Sequence, residues 1–259
     1  MGTYLDAIVA RHRLRAQSDS RDWRERAAVA TPKQSSFNAA LKSGENIAVI
    51  AEIKRKSPSK GWFAPTLDAA HLAKLYDLNG ARAISVLTDE EGFGGTLDDL
   101  RDVRLVTARP ILRKDFTVSA NDILDAHDAG ADAVLLIVAA LSDEELGVFH
   151  ELANSLGLDV VVEIHSSEEA QRAIALGAAI IGINQRNLHT FEVDSEHAAR
   201  LASSIPDSIT KVCESGLRGP EDVLAASRAG FDAVLVGERF VTSGGRAALV
   251  QAFAGVPRS

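Results

Sequence analysis

Three observations predict a single (β/α)8 TIM barrel behind an N-terminal helical extension: eight strand-then-helix units in succession, strands apolar on both faces, and a glycine cue that recurs four times. The strands are read at 47–53, 83–87, 110–113, 132–138, 159–164, 179–184, 209–214 and 232–237. Helices are read near 66–79, 96–108, 119–129, 142–156, 166–176, 194–204, 219–229 and 245–254. The strands are rich in Val, Ile, Leu and Ala on both faces, as parallel strands between a barrel core and covering helices should be. Gly80, Gly130, Gly177 and Gly230 each stand just before an even-numbered strand. A glycine in the left-handed conformation ends a helix there, and the chain turns straight into the sheet.

Length and composition agree with one barrel. A chain of 259 residues is the usual size for that fold as a single domain. Hydrophobic residues make up 46% and aromatics 5%, which implies a core of small aliphatics. The single cysteine excludes an intrachain disulfide and a Cys-based metal site, and it suits a reducing cytoplasm. No apolar run reaches the roughly 18 residues of a membrane span, so no membrane partner is expected. The net charge of −8 argues against a nucleic-acid partner. An anionic ligand would need a locally positive pocket, for which Lys54, Lys56 and Lys60 are available.

Residues 1–45 read as the extension and 46–259 as the barrel domain. Leu5, Ile8 and Val9 have helical spacing, a charged stretch follows from Asp19 to Glu25, and Thr31-Pro32 signals a turn. Ser36 is placed to cap a short helix ending near Gly44. Phe37 and Leu41, four apart, could cover one end of a barrel. The extension shows no residues that suggest chemistry.

The first strand runs Ile47-Ala-Val-Ile-Ala-Glu-Ile-Lys54. Side chains alternate along a strand, so Ala48, Ile50, Glu52 and Lys54 share one face while Ile47, Val49, Ala51 and Ile53 face helices. The inner face is apolar below and charged above, which fits the carboxyl end of a barrel strand. The loop from Lys54 to Pro65 is long for its place and reads as a mobile lid carrying Trp62.

The other strand ends carry Lys114, Glu163, Asn184, Arg186 and Glu214. Any one of them would serve as a salt-bridged rim residue, but a purely structural account is poor when all converge on one mouth. Glu214–Gly219 and Val236–Phe240 follow the last two strands, each with small residues and a helix start, where this fold often binds phosphate. Backbone N–H groups, not the Glu238 carboxylate, should make that contact, with Gly237 allowing close approach. His165 reads as a rim residue and Cys213 as a buried inert thiol. No metal-ligand spacing and no dinucleotide fingerprint is present, so neither a metal nor another cofactor is expected.

These stretches resemble the indole-3-glycerol-phosphate synthase family of tryptophan biosynthesis. The resemblance rests on Ala51-Glu-Ile-Lys-Arg-Lys-Ser-Pro-Ser-Lys-Gly61, Leu112-Arg-Lys-Asp-Phe116, Gly182-Ile-Asn-Gln-Arg-Asn-Leu188, Thr190-Phe-Glu-Val-Asp194 and Glu214-Ser-Gly216, in family order. The chain departs from the family pattern at Gly92, where a second aromatic is frequent, and in the tail after Phe240. The resemblance implies ring closure, decarboxylation and dehydration of 1-(2-carboxyphenylamino)-1-deoxyribulose 5-phosphate, without cofactor. It further implies Lys114 as acid, Glu163 as base, and Glu52 with Lys54 as a pair that assists proton transfer. Asn184 and Arg186 would hold polar groups of the substrate, with Glu214 close by. Phe93, Phe116 and Leu135 would form the anthranilate pocket, and Ser57, Ser215, Gly216, Gly237 and Glu238 the phosphate site. Other tryptophan-pathway enzymes are conceivable partners. Two alternatives stay open: a related phosphate-binding isomerase, which would need a Cys or Asp base in place of Glu52, and a non-catalytic phosphate-binding barrel.

Overall fold

The computed structural model describes residues 4–34, 36–58, 60–186 and 193–259. Eight strands close into a barrel: β1 (Ala48–Ile53), β4 (Ala83–Leu87), β5 (Ile111–Lys114), β6 (Ala133–Ile137), β7 (Asp159–Ile164), β8 (Ile180–Asn184), β9 (Thr210–Glu214) and β10 (Ala233–Val236). Every neighbouring pair is parallel, and β1 seals the ring against β10. The covering helices are α4 (Ala69–Leu78), α6 (Leu97–Val106), α7 (Ala120–Ala129), α8 (Asp143–Ser155), α9 (Ser167–Leu176), α10 (Ser195–Ser204), α11 (Pro220–Arg228) and α13 (Arg246–Ala254). Two short helices, α5 (Glu90–Phe93) and α12 (Glu238–Thr242), sit on the barrel's carboxyl side.

Local chemistry explains where these helices begin and end. Thr96–Asp99, Ser119–Asp122 and Ser142–Glu145 form reciprocal capping boxes at the starts of α6, α7 and α8. The four repeated glycines have φ of +100° (Gly80), +96° (Gly130), +82° (Gly177) and +86° (Gly230). An L-residue is strained there and glycine is not, so each helix stops and the next strand starts on time.

The two faces of β1 divide as alternation requires. Ala48 and Ile50 join Leu112, Val161 and Val212 inside the barrel, whereas Ile47, Val49, Ala51 and Ile53 pack under the helices. The lower end of the inner core is closed by Phe37 and Leu41, both fully buried.

The extension is three helices, α1 (Tyr4–Gln17), α2 (Trp23–Val29) and α3 (Phe37–Lys42). α2 arises in the charged stretch that carries no helical spacing. The side chain of Asp22 caps it by accepting from the N–H groups of Arg24 and Glu25. Arg26 then holds Asn121, Asp125 and Asp128 of α7, so ion pairing adds to the partial burial of Trp23, Ala27 and Ala30 against the core. Ser36 makes no side-chain cap to α3: at φ −121°, ψ 8° it lies outside the extended region that aims a capping hydroxyl at the first turn.

α1 crosses the other end of the barrel. Arg11 pairs with Asp89 at 2.5 Å, Arg13 with Glu145 at 2.6 Å and Arg15 with Asp122 at 2.8 Å. Those acids sit at or near the starts of α5, α8 and α7, and helices that follow parallel strands begin at the carboxyl rim. No helix among the described residues is long and apolar enough to cross a membrane.

Candidate active site

The inner faces of the strands turn from apolar to charged at their carboxyl ends, around a cavity of about 870 Å³. Glu52 and Lys54 form an ion pair of 2.6 Å at the end of β1. Lys114, ending β5, places Nζ 3.0 Å from Glu163 Oε2 on β7 and 3.2 Å from Glu214 Oε2 on β9. Asn184 Nδ2 donates to Glu163 Oε1 at 3.3 Å, and Ser215 Oγ donates to Asn184 Oδ1 at 2.8 Å. One ammonium thus bridges two buried acids, and a third acid with its own lysine stands beside them.

Burial and charge set these groups apart. Burial pulls the Lys114 ammonium down, but Glu163, Glu214 and Glu52 more than reverse this, so it is held well above the ordinary lysine range. Burial raises the Glu163 carboxyl, yet Lys114 and His165 outweigh it and the group is held low. Glu214 goes the other way, raised first by burial and further by the charges of Glu163 and Glu52, against Lys114. Two carboxylates sharing one cation cannot both be fully stabilised as anions, so the pair titrates as a unit. One loaded proton donor and one ionised acceptor stand 3.0 Å apart.

Two glycines make room for these acids. A Cβ on Gly182 would strike Glu214 Oε1, and a Cβ on Gly237 would strike Glu52 Oε1. Close approach of Glu52, not of a ligand, is therefore the structural reason for glycine at 237. Sequence reasoning passes over Gly182 because its neighbour lies on another strand.

The side of the cavity expected to take phosphate has small residues and two helix starts. Ser215 has φ +70°, the one non-glycine residue with positive φ among those described, and Gly216 follows at +74°. α11 begins at Pro220 and α12 at Glu238, as the loop chemistry predicts. Ser57 Oγ is buried without a hydrogen-bond partner. The Glu238 carboxylate does not simply face solvent; it reaches Lys60 Nζ at 2.5 Å.

Across the cavity the wall is apolar. Phe93 and Phe116 lie 6.2 Å apart between ring centroids, and Leu135 and Ile137 continue the surface. Tyr4, Leu5 and Ile8 of α1 complete it, although the extension carries no chemical signal in sequence. The Leu5–Ile8 spacing was the available cue, but spacing gives no partner.

The loop after β1 is a small hairpin, β2 (Lys56–Ser57) against β3 (Gly61–Trp62). Arg55 anchors it through Asp99 at 2.6 Å and the carbonyl of Gly94 at 3.0 Å. Trp62 remains 55% exposed, with Lys56 Nζ 5.6 Å from its ring centre.

Glu52, Lys54, Ser57, Phe93, Lys114, Phe116, Leu135, Glu163, Asn184, Arg186, Glu214, Ser215, Gly216, Gly237 and Glu238 all line the one cavity. Arg186 comes to it with its main-chain N–H on Asn184 Oδ1 at 3.1 Å. Asn187–Leu188 and Thr190–Glu192, parts of two motifs, lie outside the described residues. Cys213 is buried under the helices, its thiol pushed up to about 12 by burial and by Glu214. The group of described residues spaced to hold a metal ion is His12, Asp89 and Asp115, and Arg11 and Arg113 already pair with those carboxylates.

Comparison with known proteins agrees with this geometry. The family model for indole-3-glycerol phosphate synthase matches residues 5–253. The chain is 52% identical over 219 residues to an indole-3-glycerol phosphate synthase of Streptomyces griseus, covering 85% of this chain and 81% of the relative. It is 47% identical over 246 residues to one of Mycolicibacterium vanbaalenii, covering 93% and 90%. Among solved structures, a thiamine phosphate pyrophosphorylase from Pyrococcus furiosus superposes with TM-score 0.61 at 16% identity, over 83% of this chain and 95% of that one. At that identity the likeness speaks for the barrel alone. The family match and the near relatives carry more: the chain belongs to the indole-3-glycerol phosphate synthase family of carboxy-lyases.

Proposed function

We propose that this mouth converts 1-(2-carboxyphenylamino)-1-deoxyribulose 5-phosphate to indole-3-glycerol phosphate, CO2 and water, with Lys114 as acid and Glu163 as base. The observation that carries the reading is the single ammonium held between two buried carboxylates. Attack of the carboxylate-bearing ring carbon on the ribulose carbonyl puts negative charge on oxygen, and Lys114 donates a proton there. Loss of CO2 restores the aromatic ring. The hydroxyl then leaves as water with a second proton, and Glu163 removes the proton from the adjacent carbon. Two protons are delivered and one is recovered, so each turnover takes up one proton from solvent.

The remaining residues divide the work. Glu52 and Lys54 assist the proton transfers, since their 2.6 Å pair faces the same space. Glu214 lets Lys114 change its charge by sharing its ammonium. Asn184 orients Glu163, and Arg186 receives a polar group of the substrate. Phe93, Phe116 and Leu135 take the anthranilate ring in a wall that excludes water. The phosphate lies against Ser57, Ser215, Gly216 and the start of α12, where N–H groups at Gly237 and Glu238 face it and the Glu238 carboxylate is held off by Lys60. We place the chain in the cytoplasm on its one buried thiol. Contact with other tryptophan-pathway enzymes would be read by co-sedimentation with them.

The test is turnover of that substrate by chelator-treated protein, followed by the appearance of indole fluorescence. Activity that vanishes on chelation and returns with a divalent metal would overturn the acid–base account, as would unchanged turnover in Glu163→Gln.

A further inference from the structure

His165 stands just past the end of β7, two residues after Glu163, and its ring is turned toward that carboxylate. Its surroundings are not those of a rim residue, with only 16% of the side chain exposed. Nε2 lies 3.4 Å from Glu163 Oε1 and has no hydrogen-bond partner. Nδ1 lies 3.4 Å from Glu169 Oε2 on α9, and the same oxygen accepts the His165 main-chain N–H at 2.6 Å. The His165 carbonyl accepts from His197 Nε2 of α10 at 3.0 Å. The ring is therefore fixed from two sides, between a carboxylate at the rim and the carboxylate proposed as the base.

We propose that His165 is a positioning residue for Glu163: as an imidazolium bridging Glu169 and Glu163, it holds the Oε1 edge of the base and leaves Oε2 to Lys114. The proposal rests on the reading of Glu163 as the base. The place of the ring supports it. The ring stands between the Glu163 and Glu169 carboxylates, each 3.4 Å from one of its nitrogens. The groups that face the ring are Glu163 on β7, Glu169 on α9, Glu214 on β9, and His197 on α10 through the main chain, with Lys114 beyond Glu163. Burial pulls the imidazole down, but the hydrogen bond it donates to Glu169 and the charges of Glu163, Glu169 and Glu214 reverse this and raise it above its ordinary value. The cation thus persists to higher pH than that of an ordinary histidine and is lost as pH rises through that raised value.

Two variants and one titration test the proposal. His165→Asn keeps a small polar side chain but removes the charge. It should lower kcat about tenfold near pH 6 with KM little changed, well short of the about 10²–10⁴-fold expected for loss of the base itself. It should also abolish the decline in kcat that the native protein shows as His165 deprotonates. Glu169→Gln should move that decline to lower pH. By NMR, the His165 ring should titrate above the ordinary histidine value in the native protein and lower in Glu163→Gln. A His165→Asn protein with native kcat and profile would overturn the proposal. So would a uniform loss at every pH, which marks a packing role, or a His165 titration that Glu163→Gln leaves unmoved. If Glu163→Gln keeps its turnover, the assignment of the base fails instead, and the ring titration still reports the coupling by itself.

Discussion

The two ends of the barrel are made from the same inward faces of the same strands, yet they differ in kind. At the lower end, Ala48, Ile50, Ala133, Ile180 and Ala233 meet Phe37 and Leu41 in a buried apolar plug. At the upper end, two residues further along β1, Glu52 replaces the aliphatics, and Lys114, Glu163 and Glu214 do the same on their strands. The plug gains from burial without any directional demand, at roughly 1.5–3 kcal/mol per large apolar side chain. The mouth holds charges that tolerate burial only because each has a partner at hydrogen-bonding distance. The comparison teaches that packing and chemistry are separated along the barrel axis by a few ångströms, so the plug should answer mutation in stability without kcat, and the mouth in kcat with a stability change that depends on pH.

The largest effect should come from Lys114→Ala, with kcat falling about 10²–10⁴-fold while KM changes little. Near-normal turnover would move the acid role to Lys54. The same variant leaves Glu163 and Glu214 buried without their ammonium, so one should bind a proton and its folded pKa should rise above the unfolded value. Stability from such a group is complete at low pH and is lost as pH rises. The deficit of the variant in thermal unfolding should therefore be smaller near pH 5 than near pH 8.

Phe37→Ala should give the reverse pattern. Emptying the plug should cost about 3–5 kcal/mol of stability in denaturant unfolding, with kcat within about twofold while the protein is folded. A kcat loss rivalling that of Lys114→Ala would break the separation of the two ends.

Glu214→Gln sharpens the electrostatic side. Glu214 is pushed up to about 7 from 4.5, first by burial and then by Glu163 and Glu52, against Lys114. With its folded value above its unfolded one, its contribution is complete below about 4.5 and disappears as pH rises through about 7. Denaturation midpoints of the native protein should decline across that interval, and those of Glu214→Gln should be flatter. Parallel curves would show that another group carries the dependence.

The smallest effect should follow Lys60→Ala. Its pair with Glu238 is exposed on the lysine side, so stability should change by less than about 1 kcal/mol. In a Trp23→Phe background, Trp62 fluorescence should still change when product binds, because Arg55 and not Lys60 anchors the hairpin. An unchanged signal would count against movement of this loop.

Much of this could be read from the chain. The eight strands fall within a residue or so of their expected limits, because an apolar run bounded by a left-handed glycine has few other ways to fold. Inner and outer faces of β1 follow from the period of two alone. The helix α2 is weakly marked in sequence because its apolar side is one tryptophan and two alanines, only partly buried, and Asp22 and arginine pairs to α7 hold the rest. α1 was legible as a helix but not as a wall of the mouth, since its buried stripe is only Leu5, Ile8 and His12.

Chain order was enough for the strand count, the alternation within each strand and the set of polar residues at the strand ends, because these depend on neighbours a few residues apart. Ring closure was needed to bring Lys114 between Glu163 and Glu214, to put Gly182 and Gly237 against the acids they accommodate, and to turn His165 toward Glu163. Those relations join residues on different strands or depend on how a side chain is held. Distances of about 3 Å between them are fixed by barrel register and by side-chain packing, and local pattern carries no record of either.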